Sequence, residues 1–139
     1  MSNIDLILIP FLCHFALILF LYVWLTFLRQ KAVMNNEVAI TDFVNANSDS
    51  DTSKRVARNL SNQFEIPIFA YLATFILINN NAIGTLDIVA GWVFLVGRLI
   101  HTYVQTLTMN IPLRGMVFTI NFVAVVWLVG HMFWYFATN

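Results

Sequence analysis

Charged residues are scarce in this sequence, and cysteine is nearly absent. Only 10% of the 139 residues are charged, against about 25% in soluble globular chains, and the seven basic residues are balanced by seven acidic ones. A chain without excess basic charge lacks the surface that nucleic acid requires, so we expect no nucleic-acid partner. The single cysteine, Cys13, excludes an intrachain disulfide and a cysteine-rich zinc site. The three histidines do not have metal-like spacing, so we expect no metal site.

Apolar residues are correspondingly abundant: 60% of the chain is hydrophobic and its mean hydropathy is +0.77. A soluble domain of this size has too little interior for so many apolar side chains, so the composition indicates lipid as the solvent. The first apolar run follows no positively charged segment and is longer than the core of a signal peptide. It is therefore predicted to be a retained membrane span.

Four long apolar segments predict four membrane-spanning helices. Residues 6–28 contain no charged side chain, and their helical length of about 35 Å exceeds a hydrocarbon core of about 30 Å. Further spans are predicted at residues 58–78, 86–107 and 112–136, and the polar stretch 34–53 is the only substantial connection. The expected fold is an all-α membrane protein, a four-transmembrane-helix bundle forming one domain over residues 1–139.

The basic residues are distributed unevenly along these spans. Six of them flank the first and third connections: Arg29, Lys31, Lys54, Arg55, Arg58 and Arg114. The positive-inside rule places those two connections in the cytoplasm and both termini on the other side. We expect a multi-pass protein of a bacterial inner membrane or the endoplasmic reticulum.

Polar residues recur at helical spacing in spans two and three. The two sets are Arg55, Arg58, Asn62 and Glu65, and then Arg98, His101 and Gln105. Because polar groups inside a bilayer face protein or a wet cavity, each set is expected to lie along one helix face, and the two are expected to meet near the cytoplasmic side. Neutralisation of Arg98 by Glu65 would explain one pair only. The remaining polar residues of the two sets have no such explanation and indicate a ligand. Pro67 is expected to loosen the helix next to Glu65.

These residues carry a resemblance to the MAPEG family, the membrane-associated proteins of eicosanoid and glutathione metabolism. Its most specific part is the pattern R-x-x-x-N-x-x-E, present as Arg58, Asn62 and Glu65. The segment Arg98-Leu99-Ile100-His101 and the segment Ile111-Pro112-Leu113-Arg114-Gly115 are similar to two further family motifs.

The resemblance implies a homotrimer that binds glutathione as co-substrate between subunits and acts on lipophilic electrophiles or lipid hydroperoxides arriving through the membrane lipids. The glutathione-binding residues implied are Arg58, Asn62, Glu65, Arg98, His101 and Gln105, with Arg29 added by the adjacent subunit. Arg114 and Lys31 are the candidates for stabilising the glutathione thiolate during catalysis.

Three departures separate this chain from the family pattern. Gln105 stands where a tyrosine is frequent, Met109 and Asn110 stand where some members have an arginine, and Gly115 replaces a serine. The residues thus support binding better than turnover. A non-catalytic lipid-binding or structural protein of the same scaffold is the alternative. A four-span proton antiporter is a weaker one, because the only acid near the first span is the peripheral Asp5.

Two histidines outside these stripes have simpler explanations. His14 is expected to form a hydrogen bond between helices, in the leaflet opposite the stripes. His131, close to Trp134, is expected to lie among lipid headgroups.

Overall fold

A computed structural model describes residues 1–44, 49–108 and 110–139. Within these ranges the chain forms five α-helices, one short 3₁₀ helix and no strand, and the structure is 84% helical. The helices are α1 (Asn3–Met34), α2 (Asp51–Asn62), α3 (Pro67–Asn79), α4 (Thr85–Leu107) and α5 (Ile111–Thr138), with the 3₁₀ helix at Ile40–Val44. Two parts of the expected connections, residues 45–48 and Met109, lie outside the described residues.

Four segments are long and apolar enough to cross a membrane: α1, α2 together with α3, α4 and α5. Their outer surfaces carry large exposed apolar side chains such as Phe15, Leu72 and Val123, which a bilayer would cover. The prediction of an all-α bundle with four membrane spans is confirmed. The second span begins at Asp51, earlier than expected, and includes a break.

The break in the second span lies between α2 and α3. Pro67 occupies the first turn of α3, where its missing N–H costs nothing, whereas in a continuous helix it would remove one hydrogen bond and clash with the preceding turn. The expectation that Glu65 shares one helix face with Arg58 and Asn62 is therefore wrong. Glu65 lies in the break, where its side chain is exposed.

Local side-chain bonds set the starts of the long helices. Ser2 and Asp5 form a reciprocal capping box before α1, with the Ser2 amide donating to Asp5 Oδ2 at 2.8 Å. Asn110 accepts from the Leu113 amide at 2.9 Å and starts α5, with Pro112 in the first turn as expected. Such caps satisfy amides that have no partner within the helix.

Helix α4 lies at the centre of the bundle and packs against α1, α2 and α5. It is the most buried of the four spans, although its apolar character is among the lowest. Its polar stripe explains this, since Asp87, Arg98, His101 and Gln105 are all buried. Burying the polar stripe in the bundle leaves the apolar face of α4 for lipid.

The bundle therefore has two distinct ends. At one, α1 ends, α2 begins, α4 ends and α5 begins; we call this the basic end, because it carries the six cations of the first and third connections. At the other, Asp87 accepts hydrogen bonds from the Gly84 amide, Trp127 Nε1 and His131 Nδ1 at 2.8, 3.0 and 2.9 Å. His131 is thus bonded to a buried carboxylate of α4. The expectation that it lies among lipid headgroups did not include this contact.

Candidate functional site at the basic end

The last two turns of α4 present two buried polar side chains that lack complete hydrogen bonding. His101 and Gln105 are 2% and 7% exposed and lie four residues apart, on the same face of the helix. Neither His101 Nδ1 nor Gln105 Oε1 has a hydrogen-bond partner among the described residues. Buried polar atoms are nearly always paired in native proteins, so an unpaired atom beside a cavity indicates a ligand or water.

Both side chains line an inner cavity of about 300 Å³. That volume is at the lower end of the range for small-molecule sites, about 300 to 1,000 Å³. Its walls come from α2, α4 and α5: Arg58, Asn62, His101, Gln105, Arg114, Gly115 and Phe118. Five of these residues belong to the predicted site, so the structure brings spans two, three and four together at the expected level.

An outer cavity of about 360 Å³ adjoins the inner one towards the basic end and shares Arg58, Gln105 and Arg114 with it. The rest of its lining consists of Asp51, Lys54, Arg55, Val104, Thr108, Asn110 and Ile111. Lys54 was not among the predicted site residues, because it precedes the predicted second span. Extension of α2 back to Asp51 is what places it here.

The two cavities are strongly cationic. Lys54, Arg55, Arg58 and Arg114 line them together with a single acid, Asp51. No side chain within the described ranges forms an ion pair with any of these four cations. A group of unpaired cations around a concave surface favours anions, and arginine in particular binds carboxylates through two parallel hydrogen bonds.

Arg98 belongs to the predicted site but does not line either cavity. It is fully buried; its Nε donates to Gln63 Oε1 at 2.9 Å and its Nη2 to the Asn62 carbonyl at 2.6 Å. In the described part of the chain no carboxylate lies within 4.0 Å of it. Direct neutralisation by Glu65 is therefore wrong as an explanation of Arg98.

The two basic residues at the end of α1 lie away from both cavities of their own chain. Arg29 donates from Nε and Nη2 to the carboxylate of Asp49 at 2.8 and 2.7 Å and lies over the ring of Phe43. This pairing lowers the pKa of Asp49, chiefly through the hydrogen bonds from Arg29. Lys31 is exposed. A contribution of either residue to a neighbouring subunit stays a prediction.

Sequence reasoning missed Gln63, the residue that connects Arg98 to α1. Gln63 does not share the helical spacing of Arg58 and Asn62, and the only feature that pointed to it in the sequence was an amide side chain within a predicted membrane span. Its Oε1 also contacts His14 Nε2 at 2.9 Å. His14 thus forms the expected bond between helices, but its placement in the leaflet opposite the stripes is wrong.

Met109 lies outside the described residues, and the other three departing residues, Gln105, Asn110 and Gly115, line the cavities. Gln105 replaces the frequent tyrosine with an amide whose oxygen is unpaired. At Gly115, which replaces serine, an added Cβ would meet no described atom within 4 Å, so the cavity is open there. Asn110 caps α5 and lines the outer cavity.

Fold and site together define an integral multi-pass membrane protein with a polar cavity lined by three of its spans. The sequence profile of the MAPEG family matches residues 7–134, which is nearly the whole chain, and the protein belongs to that family. It is therefore a membrane protein related to glutathione and eicosanoid metabolism. No curated protein and no solved structure matches the chain.

Proposed function

We propose that this protein is a glutathione-dependent membrane enzyme that conjugates lipophilic electrophiles or reduces lipid hydroperoxides. The observation that carries the proposal is the pair of cationic cavities with two unpaired buried atoms, His101 Nδ1 and Gln105 Oε1. Glutathione has two carboxylates, an ammonium group and two amides. Arginines suit the carboxylates, Asp51 suits the ammonium group, and Asn62 and Gln105 suit the amides.

We further propose a homotrimer in which each glutathione lies between two subunits. In this arrangement the end of α1 from an adjacent subunit would bring Arg29 and Lys31 to the cavities of its neighbour. In the bilayer the basic end faces the cytoplasm, and both termini lie on the other side. Glutathione would then enter from the water at the basic end, while the apolar substrate would arrive through the lipid around the outer helix faces.

The chemistry requires the thiolate of glutathione, because a free thiol with a pKa near 8.5 is mostly protonated at neutral pH. Arg114 lines both cavities and is the residue of this chain best placed to favour the anion; Lys31 of a neighbour is the second. In conjugation the sulfur forms a bond to carbon as the leaving group departs with its electron pair. With a hydroperoxide the sulfur attacks the terminal oxygen, so that an S–O bond forms as the O–O bond breaks, and the alkoxide leaves as an alcohol once protonated. The resulting glutathione sulfenic acid reacts with the thiol of a second glutathione, giving the disulfide and water.

Calorimetry of the purified protein in detergent tests the proposal directly. Arg58→Gln should weaken glutathione binding by about tenfold or more, the loss expected for a hydrogen bond between charged groups, and Asn62→Ala should weaken it by about threefold to tenfold, the loss expected for a neutral hydrogen bond. Asn79→Ala is the matched control, because Asn79 is exposed at the far end of α3 and bonds only its own helix. Arg114→Gln should reduce the ultraviolet absorbance of the bound thiolate more than it weakens binding.

Three outcomes of this experiment lead to different conclusions. Absence of both binding and thiolate absorbance in the unaltered protein contradicts the enzyme. Binding that survives Arg58→Gln and Asn62→Ala contradicts the site. Loss of assembly without a specific loss of binding in Arg58→Gln or Glu65→Gln supports the alternative, a structural or lipid-binding member of the family.

A further inference from the structure

Gln63 makes several polar contacts inside the bundle. It is 1% exposed and follows α2 directly, at the start of the break. Its oxygen accepts from Arg98 Nε at 2.9 Å and contacts His14 Nε2 at 2.9 Å. Its nitrogen donates to Asn59 Oδ1 at 3.1 Å and lies 3.4 Å from Thr102 Oγ1. One amide therefore joins α1, α2 and α4.

The types of these partners fix the orientation of the amide. Arg98 Nε can only donate, so the group that faces it must be the Gln63 oxygen. The same oxygen can accept a second hydrogen, which His14 supplies if it carries its proton on Nε2. The other ring nitrogen, Nδ1, lies 2.9 Å from the Tyr71 hydroxyl, whose single hydrogen is shared between this nitrogen and the Phe11 carbonyl, 3.1 Å away. His14 therefore holds Gln63 from α1 in the orientation that Arg98 needs.

Arg98 in turn holds the end of α2. Its Nη2 donates to the carbonyl of Asn62, the last residue of that helix. In a continuous helix this carbonyl would accept from the amide four residues later, but the break removes that donor. A cation at a helix C-terminus also interacts favourably with the helix dipole. The bond thus stabilises the end of α2 where the chain stops being helical.

We propose that Gln63 and His14 are positioning residues for the ligand cavity, acting through Arg98. By orienting the guanidinium they end α2 at Asn62, and this fixes the side chains of Asn62 and Arg58, one turn apart, in the cavity wall. Arg98 acts from behind the wall and does not touch the ligand. The proposal rests on the proposed function only in taking glutathione as the probe of the cavity.

Four substitutions test the contribution of each contact: two removals, a control and a rescue. Gln63→Leu removes every polar contact of the amide. His14→Phe retains the ring beside Phe94, whose centroid is 4.9 Å away, but removes the hydrogen bond to Gln63. Tyr71→Phe is the control, because the hydroxyl it removes bonds the Phe11 carbonyl and His14 but contacts neither Gln63 nor Arg98. His14→Gln restores a donor towards Gln63 and should rescue binding.

Two measurements on the full-length protein in detergent distinguish positioning from general packing. The first is amide hydrogen exchange over residues 60–67, with α5 as the internal reference. The second is glutathione affinity by calorimetry. For Gln63→Leu we expect exchange in this segment to accelerate about tenfold or more with α5 unchanged, and affinity to fall about tenfold. His14→Phe should show smaller changes in the same direction, and Tyr71→Phe almost none.

Each result has a defined meaning. If the unaltered protein binds glutathione and Gln63→Leu binds it within twofold of that affinity, the positioning role is overturned. If the unaltered protein does not bind glutathione, the proposed function fails, and hydrogen exchange alone decides whether Gln63 and His14 hold the end of α2. Unchanged exchange over residues 60–67 then overturns the proposal. If Gln63→Leu does not fold, His14→Phe and its rescue by His14→Gln decide by the same two measurements.

Discussion

Replacement of Gly97 by alanine tests the contact that holds α4 against α5. A Cβ at Gly97 would lie 3.2 Å from both Cβ and Nδ2 of Asn121 and 3.5 Å from its Cα. Asn121 is 1% exposed, and its Nδ2 donates to the Phe94 carbonyl at 2.9 Å. The new methyl group would therefore push the two helices apart or rotate the asparagine away from its acceptor.

The magnitude follows from three contributions. Overpacking of a tight contact costs about 1 to 3 kcal/mol, and a hydrogen bond between helices in a membrane protein contributes about 0.6 kcal/mol on average. Alanine also has a higher helix propensity than glycine, by up to about 1 kcal/mol, which offsets part of the loss. Gly130→Ala is the matched control, because a Cβ there would meet no described atom within 4 Å. Gly130→Ala gains the same helix propensity as Gly97→Ala, so the difference in unfolding free energy between the two variants measures the cost of packing at Gly97.

Unfolding in mixed micelles, followed by tryptophan fluorescence over a titration with a denaturing detergent, measures this difference. We expect Gly97→Ala to be about 1 to 3 kcal/mol less stable than Gly130→Ala. Glutathione affinity should fall as well, because His101 and Gln105 lie on α4 while Arg114 lies on α5. Equal stability of the two variants would refute the reasoning that this seam is tightly packed.

Three further predictions use the same unfolding assay. Asp49→Asn should lower the free energy of unfolding at pH 7 by up to about 1 kcal/mol. Because Arg29 lowers the pKa of Asp49 below its ordinary 3.8, this contribution is fully present above about pH 4 and shrinks as the pH falls through the lowered pKa. A difference between the two proteins that grows as the pH falls below about 4 would contradict it. Asp87→Asn replaces one acceptor oxygen of a buried carboxylate by a donor and should cost about 1 to 3 kcal/mol; glutathione affinity should not change, since Asp87 lies at the end opposite the cavities. Thr74→Val should be neutral or stabilising by about 1 kcal/mol, because Thr74 Oγ1 is buried with no partner among the described residues. A clear loss of stability in this variant would show that the hydroxyl is hydrogen-bonded.

The sequence alone determined the number of spans and the buried face of α4. Four apolar segments of sufficient length require helices in a bilayer, since only helices satisfy their own backbone there. Arg98, His101 and Gln105 recur at helical spacing, and a polar stripe in a membrane helix faces its neighbours. All three side chains are indeed buried, and Asn62 and Arg58 meet two of them at one cavity.

Only the tertiary structure decided which polar groups satisfy one another. Spacing arguments assume a continuous helix, and the break before Pro67 exposes Glu65 and frees the Asn62 carbonyl for Arg98. The partner of His14 is Gln63, 49 residues further along the chain, and no local pattern relates the two. Hydrogen bonds act over about 3 Å, so their assignment depends on how separate helices pack, which is information that one-dimensional spacing does not contain.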